Sequence, residues 1–235
     1  MLRNTNCVDA SIALLLHVLP LALGAAMSPT VLTAEILILS GGDGALKRGW
    51  ALAIGRMSAL FVVGFFGLQL LALLPDFSTG EPSLFEAVLF VLAGAVLLAI
   101  AYLEWRRRHD PPKPSKVMND LVDARPIYIL LFGIGWMFVN MSTLALYVPA
   151  LHVITSSPTN DIVKVLVFLI LFIITSAVVL VPVLAVTFFG ARANAALHTV
   201  HRWVNQHSHL VVIVVSGGFG IALVVIGVGA FIALS

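Results

Sequence analysis

Charge is what this sequence has least of. Of its 235 residues ten per cent are charged and sixty per cent hydrophobic, and the mean hydropathy is +1.09. A soluble domain carries roughly 25 per cent charged residues to cover its surface. This chain cannot do so, and lipid must be the solvent for most of that surface. Cysteine is nearly absent as well: Cys7 is the only one, which excludes an intrachain disulfide, a dithiol redox pair and a thiolate metal cluster. The net charge of +2 is too small to suggest nucleic acid binding. No Walker, dinucleotide, Ser-His-Asp or paired-carboxylate pattern occurs, so neither a nucleotide-driven pump nor an enzyme is expected, and no cofactor. The histidines give no metal site. His198, His201, His207 and His209 crowd the polar connection before the last apolar run and read as solvated interface residues, His17 is alone in the first run, and His152 ends the fourth.

What the chain has in abundance is long apolar runs. They cover about 11–40, 49–74, 84–105, 126–154, 162–189 and 209–234, each long enough for a spanning helix of about 20 residues. The expected fold is therefore all-α, a polytopic membrane protein of six transmembrane helices. Turn and stop signals fall between the runs: Gly41-Gly42-Asp43-Gly44, the stretch from Pro75 to Pro82, Pro111-Pro112-Lys113-Pro114, and Ser156 to Asp161. The first run is read as a true span and not as a cleaved leader, because Asp9 weakens the basic flank and the apolar stretch continues to Leu39.

Lys47 and Arg48 lie in the first connection, Arg106, Arg107, Arg108, Lys113, Lys116 and Arg125 in the third, and Arg192 and Arg202 in the fifth. The second has none, and the fourth only Lys164 near its end. By the positive-inside rule the odd connections are cytoplasmic and both termini extracytoplasmic, in the plasma membrane. Residues 192–206 alternate at helical spacing, Ala193, Leu197, Val200 and Val204 opposite Asn194, His198, Arg202 and Asn205. They read either as an amphipathic helix on the cytoplasmic face or as an extension of the fifth helix.

The chain divides near residue 118 into two sets of three spans, 1–118 and 119–235. Each opens with an apolar run interrupted by small and polar residues, Gly24 to Thr30 in one and Gly133 to Thr143 in the other. Superposing Ser28 on Asn140 puts Pro29 on Met141 and Thr30 on Ser142. Three spans is an odd number, so the second half enters the membrane in the opposite sense. The two are inverted repeats, the plan of many secondary transporters. Pro29 lacks an amide hydrogen and clashes with the preceding turn, and freed backbone groups cannot face hydrocarbon. Ser28, Pro29, Thr30, Asn140, Ser142 and Thr143 are thus the candidate substrate site, weighed against a merely structural kink. Glu35 and Arg56 are the two charged residues well inside predicted helices, at similar depth across the first hairpin. They are read either as a structural pair with a snorkelling arginine or as a gating or proton-coupling pair. The superposition sets Glu35 on Tyr147.

The stretch from Leu21 to Thr30, the segment Arg192 to Leu197, Arg202-Trp203-Val204 and the glycine-rich last helix resemble a known family. It is the GAP family of peptidoglycolipid-addressing proteins, also called the Sap or sulfolipid-addressing family, within the lysine-exporter (LysE) superfamily. The resemblance spans essentially the whole chain. It implies a six-helix, two-repeat plan and export or translocation of an envelope lipid or glycolipid in an actinobacterial type of envelope. The superfamily motif falls on Ser28, Pro29 and Thr30, and in the second half on Asn140. There Met141 stands where a proline is expected, and methionine does not disrupt a helix. The superfamily's thiol-disulfide electron carriers need a cysteine in each repeat, and the spans here have none.

The expected function is therefore a transporter for a lipid or amphiphilic substrate, driven by a gradient or a partner. Membrane lipids surround it, and a homo-oligomer or an envelope-lipid synthesis partner is possible within this reading. The competing readings are an exporter of a small solute such as an amino acid or ion, and a non-transporting scaffold for envelope-lipid assembly. A laterally open apolar groove favours lipid, and a small occluded polar cavity favours the solute.

Overall fold

The structure, a computed structural model, describes residues 2–73, 84–107, 121 and 124–234. Side chains are described from Ala10 onward, except at 29, 72, 191–196, 198 and 201–208. The connection from Pro75 to Pro82, the prolines at 111–114 and the boundary at 118 lie outside the described residues, as do the side chains of Cys7, Pro29, Arg192, His198, His201, Arg202, Trp203 and His207.

Eight α-helices are found among the described residues: α1 (Leu2–Ala26), α2 (Pro29–Leu39), α3 (Ala45–Leu73), α4 (Leu84–Arg107), α5 (Pro126–Val139), α6 (Met141–Ser156), α7 (Asp161–Phe189) and α8 (Ala191–Ala233). Four helices are long and apolar enough to cross a membrane by themselves, within α3, α4, α7 and α8. The α1–α2 and α5–α6 pairs qualify only when each bent pair is one span, which gives up to six. The outer surface agrees with lipid as solvent. Phe66 is 64% exposed, Ile162 72% and Phe188 76%, a distribution that no soluble monomer tolerates over so wide an area.

Both expected interruptions are real, and the second is the sharper. The axes of α1 and α2 differ by 53°, those of α5 and α6 by 69°. Pro29 occupies the first turn of α2 and Ser28 is extended, at φ −112° and ψ 97°. The second break has no proline. Asn140 leaves the helical conformation at φ −78° and ψ 77°, and its side chain caps the new helix by accepting from the Thr143 amide. A self-capping asparagine does here what proline does in the first half.

Residues 192–206 overturn both expectations for them. Gly190, at φ +54°, ends α7, and α8 then runs from Ala191 into the last apolar stretch without interruption. The first glycine after Gly190 is Gly217, and no proline intervenes, so nothing local stops the helix.

The helices pack as a bundle. α4 lies antiparallel along α8, from Glu104 beside His209 to Ala87 beside Gly227. α3 crosses α5, α1 packs on α6 and α7, α2 on α7 and α8, and α6 on α3 and α4. The main apolar core joins Val18, Leu60, Leu97, Met137, Leu146 and Leu171. In hydrocarbon, close helix approach needs small residues at the contact, and each main crossing has them. A Cβ on Gly55 would collide with the Leu130 carbonyl, one on Gly133 would stand 2.8 Å from the Leu52 carbonyl, and one on Gly94 2.7 Å from that of Gly220.

Because the Gly55 contact is with backbone, a methyl there must separate α3 from α5. Gly55→Ala should destabilise the protein by about 1–3 kcal/mol. Gly229→Ala, whose Cβ meets nothing within 4 Å, should be neutral or slightly stabilising. Thermal unfolding of the two variants in the same detergent checks the contrast.

Candidate functional site

The two breaks meet. Asn140 Nδ2 donates to Ser28 Oγ at 3.0 Å, joining residues 112 apart in the chain. Ser142 Oγ donates to Asn140 Oδ1 at 2.8 Å, and Ser28 and Thr30 hydroxyls lie 3.3 Å apart. Thr143 Oγ1 donates to the Ala25 carbonyl at 3.3 Å, one of the acceptors left over in the last turn of α1. The breaks therefore satisfy one another, as interrupted backbone inside a membrane must. The N-terminal turns of α2 and α6 both begin here, so two positive helix ends face the same space.

That space is a cavity of about 290 Å³. Ser28, Thr30, Asn140 and Ser142 form its polar wall, with Met27, Trp136, Val139 and Met141 beside them. α4 and α8 close it with Ile100, Glu104, Val212 and Ser216. Thr143 does not line it: the side chain is 1% exposed and serves the Ala25 bond. Pro29 contributes through its backbone place at the start of α2. Met141 also lines a second, apolar groove of about 250 Å³ between α4 and α6, walled by Leu92, Val96, Leu144 and Val148.

Sequence reasoning missed Glu104, Trp136 and Ser216 as cavity residues. Glu104 sits just before Arg106 and Arg107 and reads as part of a charged helix end. In the structure its Oε1 is 2.8 Å from His209 Nδ1, and its side chain lines the cavity. Ser216 precedes a glycine pair and is 4% exposed.

Glu35 and Arg56 lie apart from this cavity, at 0% and 1% exposure. Each acts electrostatically on the other, yet neither carboxylate oxygen nor any guanidinium nitrogen has a hydrogen-bond partner among the described residues. The snorkelling expectation is thus overturned, since Arg56 is enclosed by protein and does not reach an interface. Glu35 stands one turn from Val31 and one from Leu39, and Arg56 follows Ala53 by three. Trp136 packs against the cluster formed by Val31, Leu39, Ala53, Val179 and Val183. Trp136 Nε1 and Ser176 Oγ are likewise buried without a partner. Tyr147, which the superposition sets on Glu35, is a neutral solution: its hydroxyl donates to the Leu60 carbonyl at 3.2 Å.

A family model described as Sap, sulfolipid-1-addressing protein matches residues 18–229. The chain belongs to that family. The matched residues contain both breaks, the cavity, Glu35 and Arg56. No curated protein and no solved structure matches the chain.

If the cavity is wet, single cysteines in a Cys7→Ser background should separate by position. Thr30→Cys and Ser142→Cys should react with a water-soluble maleimide, and Thr143→Cys should stay inert. Mass-shift gels read the outcome, and inertness at the first two positions from both sides of the membrane removes the cavity.

Proposed function

We propose that this protein is a secondary transporter that exports or flips an envelope lipid, glycolipid or related amphiphile. The reading is carried by the bond between Asn140 and Ser28, which holds two opposed helix breaks against a polar cavity. Discontinuous helices with their positive ends turned on one site are the usual device of such transporters. Six spans in two inverted halves, the plan of the lysine-exporter superfamily, are supported by the pairing of the helices. Exchanging α1 with α5, α2 with α6, α3 with α7 and α4 with α8 turns the α1–α7 contact into α5–α3, α2–α8 into α6–α4 and α2–α7 into α6–α3, all of which occur. The end bearing Lys47, Arg48, Arg106 and Arg107 is cytoplasmic on this reading, and the membrane is the plasma membrane.

The groove beyond Met141 favours a lipid. A headgroup on Ser28, Thr30, Asn140 and Ser142 leaves a chain free to lie between α4 and α6, in hydrocarbon surroundings throughout. A small-solute exporter is supported by the polar cavity alone, whose 290 Å³ lies near the lower end for ligand sites of about 300–1,000 Å³. The apolar continuation would then have no purpose. A non-transporting scaffold has no use for the cavity at all.

Glu35 and Arg56 supply the coupling on this reading. Truncating one member of a buried charge pair usually costs about 3–5 kcal/mol, whereas a structural role is met in the other half by neutral Tyr147. Proton uptake on Glu35 would release Arg56 and shift α2 against α3.

Mass spectrometry of lipids that co-purify with the protein, set beside the envelope lipids of a deletion strain, tests the cargo. One amphiphile should be enriched in the first and mislocalised in the second; bulk membrane composition in both overturns the lipid reading. For the coupling role, Glu35→Gln should flatten the pH dependence of export, and export unchanged at every pH sinks it.

A further inference from the structure

A larger cavity lies at the other end of the α4–α8 seam. Its volume is about 620 Å³, within the range of sites for drug-sized ligands. α1 contributes a stripe at helical spacing, Ala10, Ala13, His17 and Pro20, and α8 contributes Phe219, Ala222 and Ile226. Phe90 and Leu21 floor it, and Glu86, Ser156 and Ser157 stand toward the helix ends. The trough is apolar along most of its length, with Glu86, Ser156 and Ser157 at one end and His17 partway along its α1 wall, a lining that suits an amphiphile.

The polar groups are of one kind. His17 Nδ1 donates to the Ala13 carbonyl at 2.7 Å, so in the neutral ring Nε2 presents a lone pair. Pro20 has no amide to give the Leu16 carbonyl, and both residues line the cavity. Glu86 adds a carboxylate, whose Oε1 is 3.9 Å from His152 Nε2. The two serine hydroxyls already donate, Ser156 to the His152 carbonyl at 2.9 Å and Ser157 to Thr159 at 3.3 Å. The wall therefore offers acceptors and seeks donors, and its carboxylate opposes an anionic head.

We infer that this cavity is a second lipid site, taking one alkyl chain of an amphiphile whose head is neutral and rich in hydroxyl groups, as in a glycolipid. The chain lies between α1 and α8, and the head donates to Glu86, His17 and the Leu16 carbonyl. The inference rests on the lipid reading above but concerns binding, so it is tested without transport.

The probe is an alkyl glucoside with a photoreactive diazirine in its chain, applied to the purified protein in nanodiscs. Cross-links should concentrate on peptides of α1 before Leu21 and of α8 after Phe219. Ala13→Trp and Ala222→Trp, on exposed positions of opposite walls, should each remove most of that labelling while thermal unfolding stays as in wild type. An alkyl sulfate probe, or the same glucoside with its hydroxyls methylated, should label about five-fold less for each hydrogen bond lost. Labelling spread evenly over lipid-facing helices, labelling indifferent to both tryptophans, or equal labelling by the methylated probe overturns the site. If labelling behaves as expected and envelope lipids are unchanged in a deletion strain, the cavity stands and the export reading alone falls.

Discussion

A helix broken in hydrocarbon must find partners for the groups it frees, and in this protein each broken helix finds them in the other. The carbonyl of Ala25 accepts from Thr143 and the hydroxyl of Ser28 from Asn140. Neither break is tenable alone, because unsatisfied backbone groups facing lipid cost several kcal/mol each. That mutual dependence sets where α1 must lie against α6, and with it the register of the bundle. It also explains why the polar cavity forms at this place. The same residues that satisfy the breaks retain spare hydroxyl and amide capacity, and the space beside them is the one part of the interior where polar groups are already assembled.

The pair of Glu35 and Arg56 is harder to justify as architecture. Buried ion pairs are rarely more stable than well-packed neutral residues, because desolvation offsets their attraction. Here the two act on each other electrostatically, yet among the described residues neither has a hydrogen bond that would help to offset its burial. The second half shows the alternative in the same molecule, Tyr147 tied by one bond to the Leu60 carbonyl.

Much of the fold was legible because its signals are local. Apolar length marks the long helices, and Pro29 with its small neighbours marks the first interruption. Asn140 was legible as a polar residue in an apolar run, but its capping role was not. Capping depends on the conformation of Asn140 itself, and methionine at the next position pointed away from a break. The residues that close the cavity were hidden for a different reason. Glu104 and Ser216 enter it only because α4 runs antiparallel along the later part of α8, a contact between distant segments that no local pattern encodes. The extension of α8 through residues 192–206 was misread because polarity suggested a boundary, whereas a helix ends for want of backbone continuity, and the chain has no glycine or proline there.

The α4–α8 seam constrains how such a molecule can move. Gly94 meets Gly220, and Gly227 sits against Ala87 and Val91, so closely that a single added methyl would collide. Surfaces fitted at that range slide poorly past one another. The two cavities lie at its opposite ends, Glu104 and Ser216 lining one, Glu86 and Ile226 the other. Between them Phe219 lies over Gly24, its ring 2.8 Å from where a Cβ would stand. The contact belongs to α1, whose Leu14, Val18, Leu21, Ala22 and Ala25 are buried in the main core against α6 and α7.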